Sequence, residues 1–255
     1  MEQRAVHWDG FFNARDLGGL PTHDGRTTRF GVVVRSEHPS HLTATGWRQL
    51  RGAGVRAIVS LYTAGLDDGA RVGTLDRKAV SGAEGSVGDL VHRAVAVEDG
   101  SDVDFLHRWG SHPSAAALNG GLLATPLYWS DALTRWPERY AAAVAAVADA
   151  PAGGVLVHCG RGCDRTGLVS ALLLTLAGVE PHVVAGDYAL SASCLRPRFP
   201  HYPEHLERVL AAHDTDVVGS VVAQLAAMDV EAVLRAGGLS DEQVLSVRRR
   251  LVQST

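Results

Sequence analysis

The sequence predicts an α/β fold whose sheet is at least partly parallel. Short apolar runs recur at GVVVR (31–35), VRAIVSL (55–61), VHRAVAV (91–97) and VLVH (155–158), with helix-length segments between them. Composition agrees: 255 residues, 46% hydrophobic and 20% charged, is a globular balance large enough for one sizeable core. No internal repeat, low-complexity tract or linker interrupts the chain, so residues 1–255 are read as one domain.

The strand at 31–35 ends in a polar Arg-Ser-Glu. Residues 42–50 follow as a helix started by Thr43, whose hydroxyl can accept from a free N-terminal amide. The run at 55–61 is β-branched enough to lie inside a sheet, and 91–97 alternates as a third strand. Between them, 65–88 is rich in Gly, Asp and Ser and is read as loop. Residues 98–121 mix acids, aromatics, Pro113 and small side chains, and are read as a lid or peripheral insertion. The alanine-rich stretch 133–150, stopping before Pro151, predicts one helix. A buried strand at 155–158 and a buried helix at 168–177 follow. Two or three further helices complete the chain, the last starting near 239, where Ser240 and Gln243 have capping-box spacing.

Several classes are disfavoured. A formal net charge of −4 argues against a general nucleic-acid binder. No apolar run approaches the roughly 18 residues of a membrane span, so stable insertion is not expected. The start, MEQRAVHWD, is charged and lacks the apolar core of a secretory signal. Three cysteines do not make a disulfide framework, and the expected setting is reducing and cytoplasmic.

The chemistry concentrates in HCGRGCDRTG (158–167), between the fourth strand and the buried helix. Strand, glycine-rich turn and helix aim several backbone N–H groups at one point, where the helix dipole adds positive potential. Gly160 and Gly162 allow the main chain to curl close to a ligand. Cys159 and Arg165 are spaced to put a sulfur at the base of a ring of amides and a guanidinium at its side. Arg165 can grip two phosphate oxygens with its planar fork. A cysteine near a helix N-terminus and a cation can have its pKa lowered to roughly 3.5–7.5, which makes it a nucleophilic thiolate. Attack on phosphorus would give a phosphocysteine that water hydrolyses. Thr166 is placed to donate to the thiolate, and His158 to orient the loop. Gly160, Arg161, Gly162, Cys163, Asp164 and Arg165 form the expected phosphate cradle, with no metal or other cofactor required. A Walker loop would need Lys-Ser/Thr after its second glycine. A zinc site at His158, Cys159 and Cys163 lacks a second Cys pair. An inert buried cysteine leaves Arg165, Thr166 and the glycines unexplained.

These residues resemble the cysteine-dependent tyrosine phosphatase superfamily, with its Cys-x5-Arg-Ser/Thr signature. The closer resemblance is to bacterial tyrosine and phosphoinositide phosphatases with a His-Cys-x-x-Gly-Lys-Asp-Arg-Thr-Gly loop. NARDLGG (13–19), VRS (34–36) and DYALS (187–191) are similar to three further motifs of that family. The resemblance implies a central four- to five-stranded, mostly parallel sheet flanked by helices, Cys159 as nucleophile and Arg165 as phosphate clamp. It implies a phosphotyrosine-containing protein or a small aryl or inositol phosphate as substrate. Two departures stand out. Cys163 replaces the family's loop lysine, which is associated with inositol phosphates, while Arg161 is a candidate to restore the charge. Ser60-Leu-Tyr62 replaces a strand-end Asp-Leu-Arg, removing a candidate general acid.

The leaving-group proton therefore needs another donor. Asp164 is one candidate, with bracing of the loop as its alternative role; Asp67, Asp68, Asp102 and Asp104 are others. A phenolic leaving group suffers least from a weak acid, which favours aryl phosphates. Cys163 is either a small filler or a disulfide partner for Cys159 under oxidation. Arg15 and Asp16 are expected to brace a turn, and Arg35 either faces the loop or makes a surface ion pair. His201 with His205, and His38 with His41, are expected as surface residues, and Val217, Val218, Val221, Val222 and Leu225 as core. Trp109 and Trp129 either line a pocket for an aromatic phosphate or pack elsewhere. The rivals to a phosphotyrosine phosphatase are a phosphoinositide phosphatase, a phosphate-binding module without turnover and, more distantly, a sulfurtransferase.

Overall fold

The strands that build the molecule's centre are β1 (Arg15–Asp16), β2 (Val33–Ser36), β3 (Val55–Ala64), β4 (Val91–Asp99) and β5 (Gly154–His158), in the sheet order β1-β2-β5-β3-β4. The computed structural model describes residues 2–66, 90–110 and 121–252. β1 pairs antiparallel with β2, and every other pairing is parallel, so the expected α/β class and mostly parallel sheet are found. The expected strands reappear within a few residues of their predicted ends. β1 is too short to carry a hydrophobic period and was not expected.

Ten α-helices lie among the described residues: α1 (Ala44–Gly52), α2 (Val103–Trp109), α3 (Trp129–Arg135), α4 (Pro137–Ala148), α5 (Asp164–Leu176), α6 (Pro181–Leu195), α7 (Tyr202–Ala211), α8 (Val217–Ala226), α9 (Val230–Ala236) and α10 (Asp241–Leu251). Side chains alternate across a strand, and here both faces are covered. Val34, Ile58 and Leu156 pack with Leu42, Leu50 and Trp8 on the α1 side. Val33, Val59, Val155 and Val157 join the larger core built with α4 and α5. Leu168, Leu172, Leu173 and Leu174 are fully buried, so α5 is apolar nearly all round, as a central helix must be.

Three expectations are corrected. The single helix at 133–150 is two, α3 and α4, broken at Trp136 (φ −135°, ψ 54°). Pro137 is the cause: it excludes the preceding residue from helical conformation and then occupies the first turn of α4. The two or three C-terminal helices after α5 are five, each with its own start signal. Pro181 and Pro203 sit in first turns, while Asp216, Asp229 and Ser240 cap the amides of Gly219, Ala232 and Gln243. The helix expected from 168 begins at Asp164, so Asp164, Arg165 and Thr166 form its first turn.

Within 98–110, Glu98 and Phe105 are buried, while Ser101, Val103, Asp104, His107 and Arg108 are exposed. Phe105 of α2 is buried, with its ring centroid 6.3 Å from that of Tyr128 and 4.4 Å from that of Trp136. Residues 111–120, the rest of the stretch read as a lid or insertion, lie outside the described residues. So does all but the first two residues of the loop expected at 65–88.

At the carboxyl edge of the sheet, Ser36, His158 and Ser60 stand side by side in register. Parallel α/β sheets bind ligands at that edge, where loops leave the strands and helix N-termini point back. The HCGRGCDRTG segment leaves from the central strand, β5.

Both arms of the capping box at the start of α10 are formed, from Ser240 Oγ to the Gln243 amide and from Gln243 to the Ser240 amide. Ser240→Ala is therefore expected to lower the unfolding free energy by about 1 kcal/mol. Urea titration should register this as a lower midpoint with an unchanged slope.

Candidate active site

The loop after β5 is held by its carbonyls. Cys159 O accepts from His158 Nδ1 (3.1 Å), Gly160 O from the His38 amide (3.1 Å) and Arg161 O from Asn13 Nδ2 (2.9 Å). Arg35 donates through one terminal nitrogen to both Gly162 O (2.9 Å) and Cys163 O (3.2 Å). A trans peptide points its N–H opposite to its C=O. Carbonyls of residues 159–163 anchored in the protein therefore turn the amides of residues 160–164 the other way, into a bowl closed by the N-terminus of α5. Gly162 makes the turn possible. Its φ is +69°, and a Cβ there would lie 2.3 Å from the Ser36 carbonyl. At Gly160 a Cβ would meet no protein atom within 4 Å, so any demand for glycine there comes from the ligand side.

Arg35 is fixed in turn by Asp187 of α6. Arg35 Nη1 donates to Asp187 Oδ2 (2.8 Å), Arg15 Nε to Oδ1 (3.1 Å), and Arg4 pairs with the same carboxylate. Arg15 also donates to Ser191 Oγ (2.9 Å) and to Asn13 Oδ1 (2.8 Å), which orients the Asn13 amide toward the loop. Burial pushes the Asp187 carboxyl up, but Arg15, Arg35 and Arg4 outweigh it and hold it well below the usual carboxylate range. The motifs at 13–19, 34–36 and 187–191 thus meet in one buried network. Of the two roles open for Arg35, it takes the one facing the loop, at 1% exposure. Arg15 and Asp16 brace as expected, Asp16 accepting from the amides of Gly18 and Gly31.

Cys159 is nearly buried and lines a cleft of about 490 Å³ with Phe12, His38, His41, Arg161, Asp164, Arg165, Arg198 and Phe199. His158 beside it is buried and neutral, its pKa pushed down to about 3 by burial and then by His38. A carbonyl only accepts, so the bond to Cys159 O puts the His158 proton on Nδ1. Nε2 then accepts from Ser60 Oγ (2.6 Å), whose oxygen accepts from His92 Nε2 (2.8 Å). Ser60, the residue that departs from the family's aspartate, is thus spent on fixing this tautomer.

Arg165 Nη1 donates to Thr63 Oγ1 (3.3 Å), and its Nε lies 3.9 Å from Glu98 Oε2. Glu98 is buried at the end of β4, accepting from Thr63 Oγ1 (2.7 Å) and the Tyr128 hydroxyl (3.0 Å). Burial raises its pKa and Arg165 opposes the rise. Sequence reasoning missed Glu98, Thr63 and Tyr128. A register shift after Tyr62 pairs Thr63 with Glu98, and only the sheet brings those two together.

Asp164 lines the cleft, its pKa raised by burial against the pull of Arg161 and Arg165. Arg161 Nη2 is 3.7 Å from its carboxylate, and the Tyr188 hydroxyl lies 3.5 Å from Oδ1. Arg161 turns into the cleft and over the rings of Phe199 and Tyr202. Thr166 is wholly buried and its hydroxyl finds no partner among the described residues, a cost of about 1–3 kcal/mol unless an acceptor or donor arrives. Cys163 packs against the Tyr202 hydroxyl (3.3 Å) on the inner side, its thiol pushed up to about 12 by burial. Both loop cysteines are free thiols.

Other candidates fall elsewhere. Asp102 caps α2 and pairs with Arg135 (2.6 Å), and Asp104 lines a separate cleft. Asp67 and Asp68 lie outside the described residues. Trp129 is in the core, edge-on to Tyr188, and Trp109 bonds Asp131. His38 and His41, expected as surface residues, line the cleft. Of the α8 stripe, Val221 and Leu225 are buried and Val218 is exposed. Among the described residues no group of three or more His, Cys, Asp or Glu is arranged to hold a metal ion. No single helix among them is long and apolar enough to cross a membrane.

A model of the tyrosine phosphatase family matches residues 6–253. Among curated proteins, the chain is 30% identical over 118 residues to a tyrosine-protein phosphatase of Nostoc commune, covering 40% of each chain. It is 28% identical over 187 residues to a Cupriavidus necator protein whose name assigns it provisionally to the tyrosine-protein phosphatases, covering 71% of this chain and 60% of that one. The matched stretches thus span less than two thirds of either relative.

The Asp187 network makes a stability prediction. Asp187→Asn leaves buried Arg15 and Arg35 without a counter-charge and is expected to cost about 3–5 kcal/mol at neutral pH. Because the folded pKa of Asp187 is depressed, its contribution is complete above about pH 4, the ordinary aspartate value, and is lost as pH falls through the lower folded value. Denaturant unfolding of both proteins across acidic pH should find the gap narrowing in that direction.

Proposed function

The chain belongs to the tyrosine phosphatase family, and from that premise we propose that it hydrolyses phosphomonoesters, phosphotyrosine first, through a phosphocysteine on Cys159. The observation that carries this reading is the loop of inward amides around Cys159, with its carbonyls tied down by Asn13, His38 and Arg35. Such a bowl complements the equatorial oxygens of a transferring phosphoryl group without having to reorganise. Arg165, held by Thr63 and Glu98, grips two of those oxygens.

In the first step the Cys159 thiolate forms a bond to phosphorus as the ester P–O bond breaks. The leaving oxygen takes the proton of Asp164. In the second, water attacks phosphorus and gives a proton to the Asp164 carboxylate while the S–P bond breaks. The released thiolate accepts a hydrogen bond from Thr166, whose hydroxyl has no other partner among the described residues. Asp164 is preferred as the acid because it lines the same cleft as Cys159 and burial raises its pKa, whereas Asp102 is committed to Arg135. Phe12 and Phe199 supply apolar walls suited to an aryl ring.

The decisive assay is phosphate release, under reductant, from a phosphotyrosine peptide and from a phosphoinositide, by wild type and Cys159→Ser. Turnover of the peptide that disappears in the variant supports the proposal. Faster turnover of the phosphoinositide would reassign the substrate, and phosphate binding without turnover would make the protein a binding module. Asp164→Asn is expected to lower kcat on phosphotyrosine roughly 100-fold or more, and to cost much less on p-nitrophenyl phosphate, whose leaving group needs little protonation. With the acid required in its protonated form, wild-type kcat should fall as pH rises through the raised Asp164 pKa, and the variant should lack that limb.

A further inference from the structure

Beyond the phosphate bowl, the cleft carries a third arginine that the chemistry does not use. Arg198 stands between α6 and α7 in RPRFP (196–200), where Pro197 and Pro200 restrict the backbone on both sides. It is exposed, lines the cleft, and its guanidinium carbon is 4.7 Å from the Phe12 ring centroid. The other two cleft arginines have carboxylates at hand, Arg161 with Asp164 (3.7 Å) and Arg165 with Glu98 (3.9 Å). Among the described residues no carboxylate pairs with Arg198. Glu37 feels its charge, but is buried with its two oxygens accepting from the amides of Phe12 and Asn13. His41, edge-on to Phe12 at 5.6 Å, offers no counter-charge either: burial and then Arg198 depress its pKa. A planar cation thus stands over an aromatic ring beside the reaction site, unpaired with any carboxylate among the described residues.

We propose that Arg198, backed by Phe12, is a second anion subsite that selects substrates carrying a further oxyanion near the scissile phosphate. It rests on the phosphatase reading and extends it to the substrate. Guanidinium forks match carboxylate and phosphate alike, so the chemistry has two sources: an acidic side chain flanking a phosphotyrosine, or a second phosphate ester on a small molecule.

The test compares kcat/KM within two matched pairs. One pair is a phosphotyrosine peptide with Glu or Gln beside the phosphotyrosine; the other is an inositol bisphosphate and the corresponding monophosphate. Each pair is run with wild type, Arg198→Ala and Arg198→Lys at low ionic strength. Wild type is expected to prefer the doubly anionic member of at least one pair by roughly three- to tenfold, the range for a partly exposed charge-assisted contact. Arg198→Ala should bring that ratio close to one, Arg198→Lys should retain part of it, and added salt should shrink it. The responding pair identifies the source. Ratios that are equal in wild type and Arg198→Ala for both pairs overturn the subsite. Turnover of p-nitrophenyl phosphate, measured alongside, tests the phosphatase reading separately. If wild type fails on it, the same ratios are taken from dissociation constants measured by calorimetry, and the subsite stands or falls on those.

Discussion

The pairing of Asp187 with Arg35 is the interaction on which the rest of the site depends. One end of the guanidinium is anchored by the carboxylate, and the other holds two consecutive loop carbonyls. Burying such a pair is costly, and an apolar replacement of the same shape would often be as stable. An apolar side chain, however, could not hold a carbonyl. The arginine serves direction: by holding the C=O groups away from the cleft it points the following N–H groups into it. Asn13 and His38 do the same for neighbouring carbonyls, so the loop's shape is imposed from behind rather than by its own sequence.

Carboxylates around the loop are then divided by their surroundings. Asp187 has Arg15, Arg35 and Arg4 about it and is held ionised; Asp164 and Glu98, more deeply desolvated than compensated, are pushed up. A permanently ionised acid suits a fixed scaffold, and a carboxyl that keeps its proton to higher pH suits a group asked to give one away. Two acids less than thirty residues apart in sequence are thereby fitted for opposite duties.

Much of this was legible in the sequence wherever the signal was local. Cys159, Arg165 and Thr166 lie within one turn and its helix start, so spacing alone groups them. The four longer strands carry their own β-branched periods, and the starts of two helices are marked by Thr43 and Ser240. What was not legible was set by pairing at a distance. Glu98 reaches Arg165 only because β4 lies beside β3 with a register shift at Thr63, and in sequence it looks like one acid in an acidic stretch. Arg198 and Phe12 are far apart along the chain and meet only at the cleft rim. The break at Trp136 was overlooked because an alanine-rich helical pattern masked the effect of Pro137, although that proline is plain in the sequence.

The two departures from the family pattern both redistribute charge around the loop. Cys163 turns its thiol inward to the Tyr202 hydroxyl, so the position that elsewhere supplies a lysine adds no charge to the cleft here. Ser60 in place of a strand-end aspartate removes a second charge of opposite sign, and its hydroxyl goes to the His158–His92 pair instead. Tyr62 likewise stands where that pattern has an arginine, so two cations and one anion are absent together, and Arg161 brings one positive charge into the cleft in their place. The exchange at Ser60 also removes a candidate acid outside the loop, leaving Asp164 as the carboxyl beside Cys159 among the described residues lining the cleft. As the proposed proton donor, Asp164 in the first turn of α5 is carried by the same element that holds Arg165 and Thr166. On the reading proposed above, its place relative to the leaving oxygen is set by the same element that shapes the bowl.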